Sequence, residues 1–307
     1  VWRDMGPSEG FRSLAILLAV AAAVALAYGA HFQNAAVVAD SAQKVKSQGS
    51  LSLKQLMSVV ARPKWLSGTA FMVGGIVLQL AALSLAPLIV VQPVGAVALV
   101  ITSLLNAHST KTRISRPTLI AVSFCTIGIA AFVAMASGVA HETVLNDDRL
   151  REVLGVLLTI LVVFGALFFT IGKRAKALTY VSGAGVLYGF VATLAKVVIQ
   201  RIYQQQFELL TILCLVALVG AVALGGWFVQ NAYSSGPPDL VIAGLTVIDP
   251  LVAVSIGIII LGEAQSANFL TILGWLVSAV IAVIGVYLLS KVHPELATKA
   301  LQRKHLV

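Results

Sequence analysis

Apolar runs of about the 20 residues that a helix needs to cross a bilayer recur at 13–36, 65–86, 88–107, 117–137, 153–172, 177–200, 209–232, 240–261 and 268–290. They are rich in Leu, Ala, Val and Gly. None alternates in and out over about ten residues, as an outer-membrane strand does. The pattern therefore predicts an all-α polytopic membrane protein with nine transmembrane helices. The run at 13–30 also suits the core of a signal peptide, but its flank fits poorly and it takes part in a duplication described below, so it is read as a span. The first residue is Val, with Met5 a candidate start.

Composition agrees with the pattern. Of 307 residues 59% are hydrophobic and 11% charged, where a soluble domain carries about 25% charged residues. Charge then supplies an orientation, because cytoplasmic loops hold the excess of Lys and Arg. Lys44, Lys46, Lys54, Arg62 and Lys64, the group Lys111, Arg113 and Arg116, the group Lys173, Arg174 and Lys176, and Lys291, Lys299, Arg303 and Lys304 all fall on one side. The other side holds only Arg3, Arg12, Arg149, Arg151 and Arg201. A chain in the cytoplasmic membrane with its N-terminus outside and its C-terminus inside is expected. The net charge of +9 then serves anionic lipid headgroups, and no nucleic-acid motif accompanies it. Ser52 with Gln55 resembles a capping box ahead of Leu53, Leu56, Met57 and Val60, which predicts a surface helix on the cytoplasmic face. Trp65 and Trp275 suit interfacial anchors. Cys125 and Cys214 lie inside spans and read as small packing residues rather than a disulfide or metal site.

The spans repeat. Tyr28-Gly29 with Ala35, Val37 and Val38 matches Tyr188-Gly189 with Ala195, Val197 and Val198 at one offset. Gln79, Ala81, Ser84 and Pro87 match Gln230, Ala232, Ser235 and Pro238, and Pro93, Val97, Ile127 and Gly128 match Pro250, Val254, Ile284 and Gly285. Residues 1–137 form a first four-helix repeat, 138–176 a central linking helix, 177–290 a second repeat and 291–307 a basic cytoplasmic tail. One odd helix between the halves inverts the second, giving a 4+1+4 inverted-topology repeat of the kind many secondary transporters use. The central helix is expected at the periphery or in a homodimer contact.

Trp65-Leu66-Ser67-Gly68 through Leu83-Ser84-Leu85-Ala86-Pro87, continuing into Val91-Gln92-Pro93-Val94-Gly95-Ala96, resembles the helix 2 to helix 3 signature of NIPA-type, magnesium-transporter-like proteins. Leu261-Gly262-Glu263 after a proline-bearing helix, with Ile284-Gly285-Val286 in the next, resembles the end of an EamA domain. Both groups belong to the drug/metabolite transporter superfamily, and the resemblance covers about residues 12–290. It implies the inverted-repeat fold and a transport function. The chain departs from larger EamA-type members in having four helices per half plus one, and Leu104-Leu105-Asn106 stands where the second half has Leu261-Gly262-Glu263.

Polar residues within spans are the candidate site. Pro93 and Pro250 are expected to break or kink their helices and face each other near the middle of the bundle, where freed carbonyls must be met by protein or water. Asp249 precedes Pro250, and Gln92 is its neutral counterpart before Pro93. A carboxylate in hydrocarbon is costly and marks function, or else caps the broken helix. Lys196, with Thr193 and Gln200, makes a polar stripe that faces a cavity or a partner, or snorkels toward Arg201. Asp249 and Lys196 are expected to share one cavity between the first, third, sixth and eighth spans. Tyr28, His31 and Asn34 fall on one helix face, and Tyr188, Gln79, Gln230 and Asn231 complete the substrate-binding candidates or serve as interhelical glue. Glu263 reads as a solvated turn or cap at the membrane edge.

Three functions fit. One is a secondary transporter of a small polar or amphiphilic metabolite working by alternating access. Another is a magnesium transporter, for which one clear carboxylate and a repelling Lys196 are a poor set. The third is a lipid-phosphate flippase or a non-transporting assembly subunit. The expected partners are a small-molecule, ion or lipid substrate and membrane lipids, with no cofactor and no metal. No nucleophile–base pair or metal-ligand set suggests an enzyme.

Overall fold

The computed structural model describes residues 9–43, 63–109, 116–141, 145–171, 177–235 and 238–304. Its elements are α1 (Glu9–Gln43), α2 (Pro63–Leu85), α3 (Leu88–Val94), α4 (Val97–Ser109), α5 (Arg116–Val139), α6 (Asp147–Ile171), α7 (Ala177–Tyr203), α8 (Leu209–Ser235), α9 (Pro238–Ile259) and α10 (Phe269–Lys304). Among the described residues every regular element is helical, and nine spans are long and apolar enough to cross a membrane. The protein is thus a polytopic helical membrane protein, and α3 and α4 together make the third span.

The two prolines do not act alike. Pro93 stands one residue before the end of α3, and the chain turns through Gly95 and Ala96 before α4 begins. That turn is closed by Gly95 N donating to Gln92 O at 3.1 Å and Ala96 N to Pro93 O at 3.2 Å. Pro250 lies inside α9, which runs on through it to Ile259. The expected pair of broken helices is one break and one continuous helix. The prolines do meet, lining a small apolar cleft between α3, α5, α9 and α10. Two further expectations need adjusting. The basic tail is no separate element as far as Lys304, because α10 carries on to that residue, and α1 extends to Gln43. The surface helix read from Ser52 to Val60 lies outside the described residues.

Small residues set the close crossings, as they do where helices associate without a water-driven force. A Cβ on Gly29 would stand 2.5 Å from Met72 Cγ, fixing α1 against α2, and one on Gly189 would stand 2.7 Å from Val252 Cβ, fixing α7 against α9. The crossing of α5 and α10 is tighter. A Cβ on Gly128 would meet the backbone of Ala282, with its nitrogen at 2.5 Å, and one on Gly285 would meet the backbone of Cys125. Each glycine therefore faces the residue three before the other.

The central helix α6 is peripheral. Leu150, Val153 and Leu157 bury one stripe, and Phe168 reaches Phe228 of α8 with ring centroids 5.1 Å apart. Its other side, with Leu158, Val162 and Phe169, is exposed apolar surface suited to hydrocarbon.

Candidate functional site

The elbow between α2 and α3 leaves helix-end backbone groups without partners, and α3 opens on Pro87, which has no capping side chain. A buried ion pair from distant elements supplies them. Glu263 accepts hydrogen bonds from Leu88 N at 2.9 Å (Oε1) and Ile89 N at 3.0 Å (Oε2). Lys196 of α7 donates from Nζ to the Ala86 carbonyl at 2.8 Å and stands 3.3 Å from Glu263 Oε1. Anion at a helix N-terminus and cation at a helix C-terminus is the arrangement that backbone dipoles favour. Both side chains are almost wholly buried, Lys196 at 3% and Glu263 at 1% exposure. Such a pair is tolerated because its remaining hydrogen-bonding capacity is met.

The chain after α9 brings Glu263 there. Leu261 N and Ile260 N both donate to Ile256 O, Gly262 adopts φ +69°, and Glu263 N donates back to Gly257 O at 2.9 Å. The left-handed conformation at position 262 is one glycine adopts at little cost. Gly257 leaves the space the carboxylate occupies, since a Cβ there would lie 2.7 Å from Glu263 Oε2. His141 N donates to Glu263 O at 2.9 Å, and the Arg149 guanidinium donates to the Leu261 carbonyl. At the same end Arg201, 2% exposed, pairs with Asp147. Arg12 donates to the Ser137 carbonyl at 2.6 Å. Glu263 is thus a buried cap of a different helix, not a solvated turn at the membrane edge.

A cavity of about 470 Å³ lies beside this lock, between α1, α2, α3, α7 and α9. These are the four spans expected to enclose it, with the second added. Its lining is mostly apolar, including Ala23, Leu26, Ile76, Leu83 and Ala195, and its polar members are Gln79, Gln92, Tyr188, Thr246 and Asp249. Asp249 Oδ1 is buried with no hydrogen-bond partner. Thr246 donates its hydroxyl to the Ile242 carbonyl at 2.8 Å, so lone pairs are what it offers the cavity. The hollow thus combines a few converging polar groups with an apolar lining.

The structure brings together four of the sequence candidates, Asp249, Gln92, Gln79 and Tyr188, and separates Lys196, Tyr28, His31, Gln230 and Asn231 from them. Lys196 does not share the cavity with Asp249; it is turned to Glu263 and Ala86. The polar stripe of α7 faces protein, with Thr193 bonded to its own helix at Gly189 O, 2.9 Å. Tyr28 and His31 lie farther along α1, in a cluster with Phe32 and Phe71; Tyr28 and Phe71 have centroids 6.1 Å apart. Gln230 is exposed, and Asn231 donates to the Trp227 carbonyl at 2.7 Å. The side chain of Asn34 lies outside the described residues. Sequence reasoning read Glu263 as a turn or cap but placed it at the membrane edge, and it missed Gly257; the available signal for a buried position was a glycine able to reverse the chain just before the carboxylate.

No family model matches the chain, and no solved structure matches it. A curated relative, an uncharacterized protein of Corynebacterium glutamicum, is 26% identical over 256 residues, covering 81% of this chain and 85% of the relative. The likeness extends over most of both proteins and brings no activity with it.

Proposed function

We propose that the protein is a secondary transporter of drug/metabolite-transporter type, moving a small polar or amphiphilic metabolite across the cytoplasmic membrane by alternating access. The observation that carries this reading is the cavity in the middle of the bundle, with a carboxylate whose Oδ1 is buried beside a broken span. Irregular backbone at membrane depth is tolerated where it is covered by protein or lines a cavity, and here the turn at Gly95 and Ala96 lines one. The inverted repeat draws support from the α5–α10 crossing. Gly128 and Gly285, matched in the two halves, each meet the residue matched to the other's contact, as a two-fold axis through the crossing requires.

The magnesium and lipid-phosphate readings draw less support. Among the described residues the lining offers a divalent cation one carboxylate, and Lys196, the natural ligand for a phosphate headgroup, is committed to Glu263.

The test needs no known substrate. Ala192, which lines the cavity, is replaced by Cys in a Cys125→Ala, Cys214→Ala background. The protein is reconstituted in vesicles and treated with a membrane-impermeant maleimide from either face. Alternating access predicts labelling from both faces. Labelling from one face alone under every condition would assign the protein to a static assembly role.

A further inference from the structure

The polar groups that α9 gives the cavity are acceptors. Asp249 presents a buried oxygen with no hydrogen-bond partner among the described residues, and an ionised carboxylate can only accept. One helical turn earlier, Thr246 has given its hydroxyl hydrogen to Ile242. Its carbonyl also loses the usual donor, because Pro250 has no N–H to return to it. Countercharge is missing as well. Among the described residues that line the cavity none is Lys, Arg or His. The nearby buried cation, Lys196, is balanced by Glu263 rather than by Asp249. An unbalanced carboxylate in a low-dielectric bundle calls for a positive charge.

The rest of the lining defines what carries that charge. Ala23, Leu26, Ile76, Leu80, Leu83 and Val191 form an apolar wall with no polar partner to offer. The Tyr188 ring stands in the same cavity, as a surface on which a cation or a flat ring can rest. A bare metal ion would leave that wall unused. From these observations we infer that the cavity binds an organic cation, an ammonium or guanidinium group on an apolar body, with Asp249 as its counter-ion. The cation is the substrate if the transport reading above holds, and that second step alone rests on it.

The test compares three probes of one shape: tryptamine as cation, tryptophol as neutral analogue and indole-3-propionate as anion, with phenylbutylamine as a second cation. Each is titrated into the purified full chain in detergent while thermal unfolding is followed. The amines should raise the unfolding temperature in a saturable way, with the alcohol and the acid weaker by at least about tenfold in half-saturating concentration, the factor that about 1.4 kcal/mol supplies. Asp249→Asn should weaken the amine response by a similar factor, while Asp249→Glu should retain part of it. An equal response to the acid or the alcohol would overturn the inference. So would a full amine response in Asp249→Asn, or no response to either amine in wild-type protein. Counterflow of labelled tryptamine in proteoliposomes separates the two readings. Binding without counterflow keeps the cation site and removes the transport reading; counterflow of the acid in place of the amine keeps transport and removes the cation.

Discussion

Lys196 and Glu263 are each a burden alone, since a charge stranded in a bundle after its partner is removed costs about 3–5 kcal/mol. Lys196→Met and Glu263→Gln should therefore each destabilise the protein by roughly that amount in detergent unfolding. The double variant should lose less stability than the sum of the two, because the second change removes the charge that the first one strands. Additive losses would show that the two side chains act separately. Asp249 was legible in the sequence, as a carboxylate before a proline inside an apolar run. The partner of Lys196 was not. Glu263 sits in a polar stretch that reads as the membrane edge, and only the reversal at Gly262 carries it back inside. Tyr28 and His31 misled for a related reason: their spacing marks one face of α1 correctly, but that face meets an aromatic cluster rather than the cavity.

Spans were the most legible feature, because length and apolarity alone specify a helix in lipid. The breaks within them were only half legible. A proline removes one backbone donor wherever it falls, so Pro93 and Pro250 looked alike. What distinguishes them is the neighbourhood: Gly95 and Ala96 let the third span turn, while Leu251, Val252 and Ala253 continue α9. Glycine content was equally ambiguous until contacts were known. A Cβ at position 285 meets the backbone of α5, which cannot move aside, whereas positions 74 and 226 have nothing within 4 Å. Gly285→Val should accordingly lower stability by at least the 1–3 kcal/mol typical of overpacking. Gly226→Ala should be neutral or stabilise by up to about 1 kcal/mol through helix propensity. Thermal unfolding of the two variants side by side checks both, and equal effects would disprove the close crossing.

Taken whole, the molecule is tied at one end and hollow at the centre. Leu83 and Ala195 line the cavity next to the elbow, and Lys196 and Glu263 close the elbow itself. Weakening that closure should expose the cavity from the elbow side. With Ala195→Cys in the cysteine-free background, Glu263→Gln should speed labelling by an impermeant maleimide added on that face, with little change from the opposite face. Equal acceleration from both faces would indicate general loosening. Cavity and lock were not separable in the sequence, because Tyr188 and Lys196 are polar residues of one span and only the packing shows that the first lines the cavity and the second meets Glu263.

The elbow has one further consequence. A tight connection between two spans leaves helix-end dipoles that ordinarily recruit water. At this elbow several of these groups are met within the protein: Ala86 N goes to Ala82 O, Pro87 O receives Val90 N and Val91 N, and side chains take the Ala86 carbonyl and the Leu88 and Ile89 amides. The Ala86 carbonyl and the Leu88 and Ile89 amides therefore need no water, and the junction between the two spans is drier than helix ends ordinarily are. The same pair of charges that ties two consecutive spans together thus also acts as a seal, standing where solvent would otherwise enter between them.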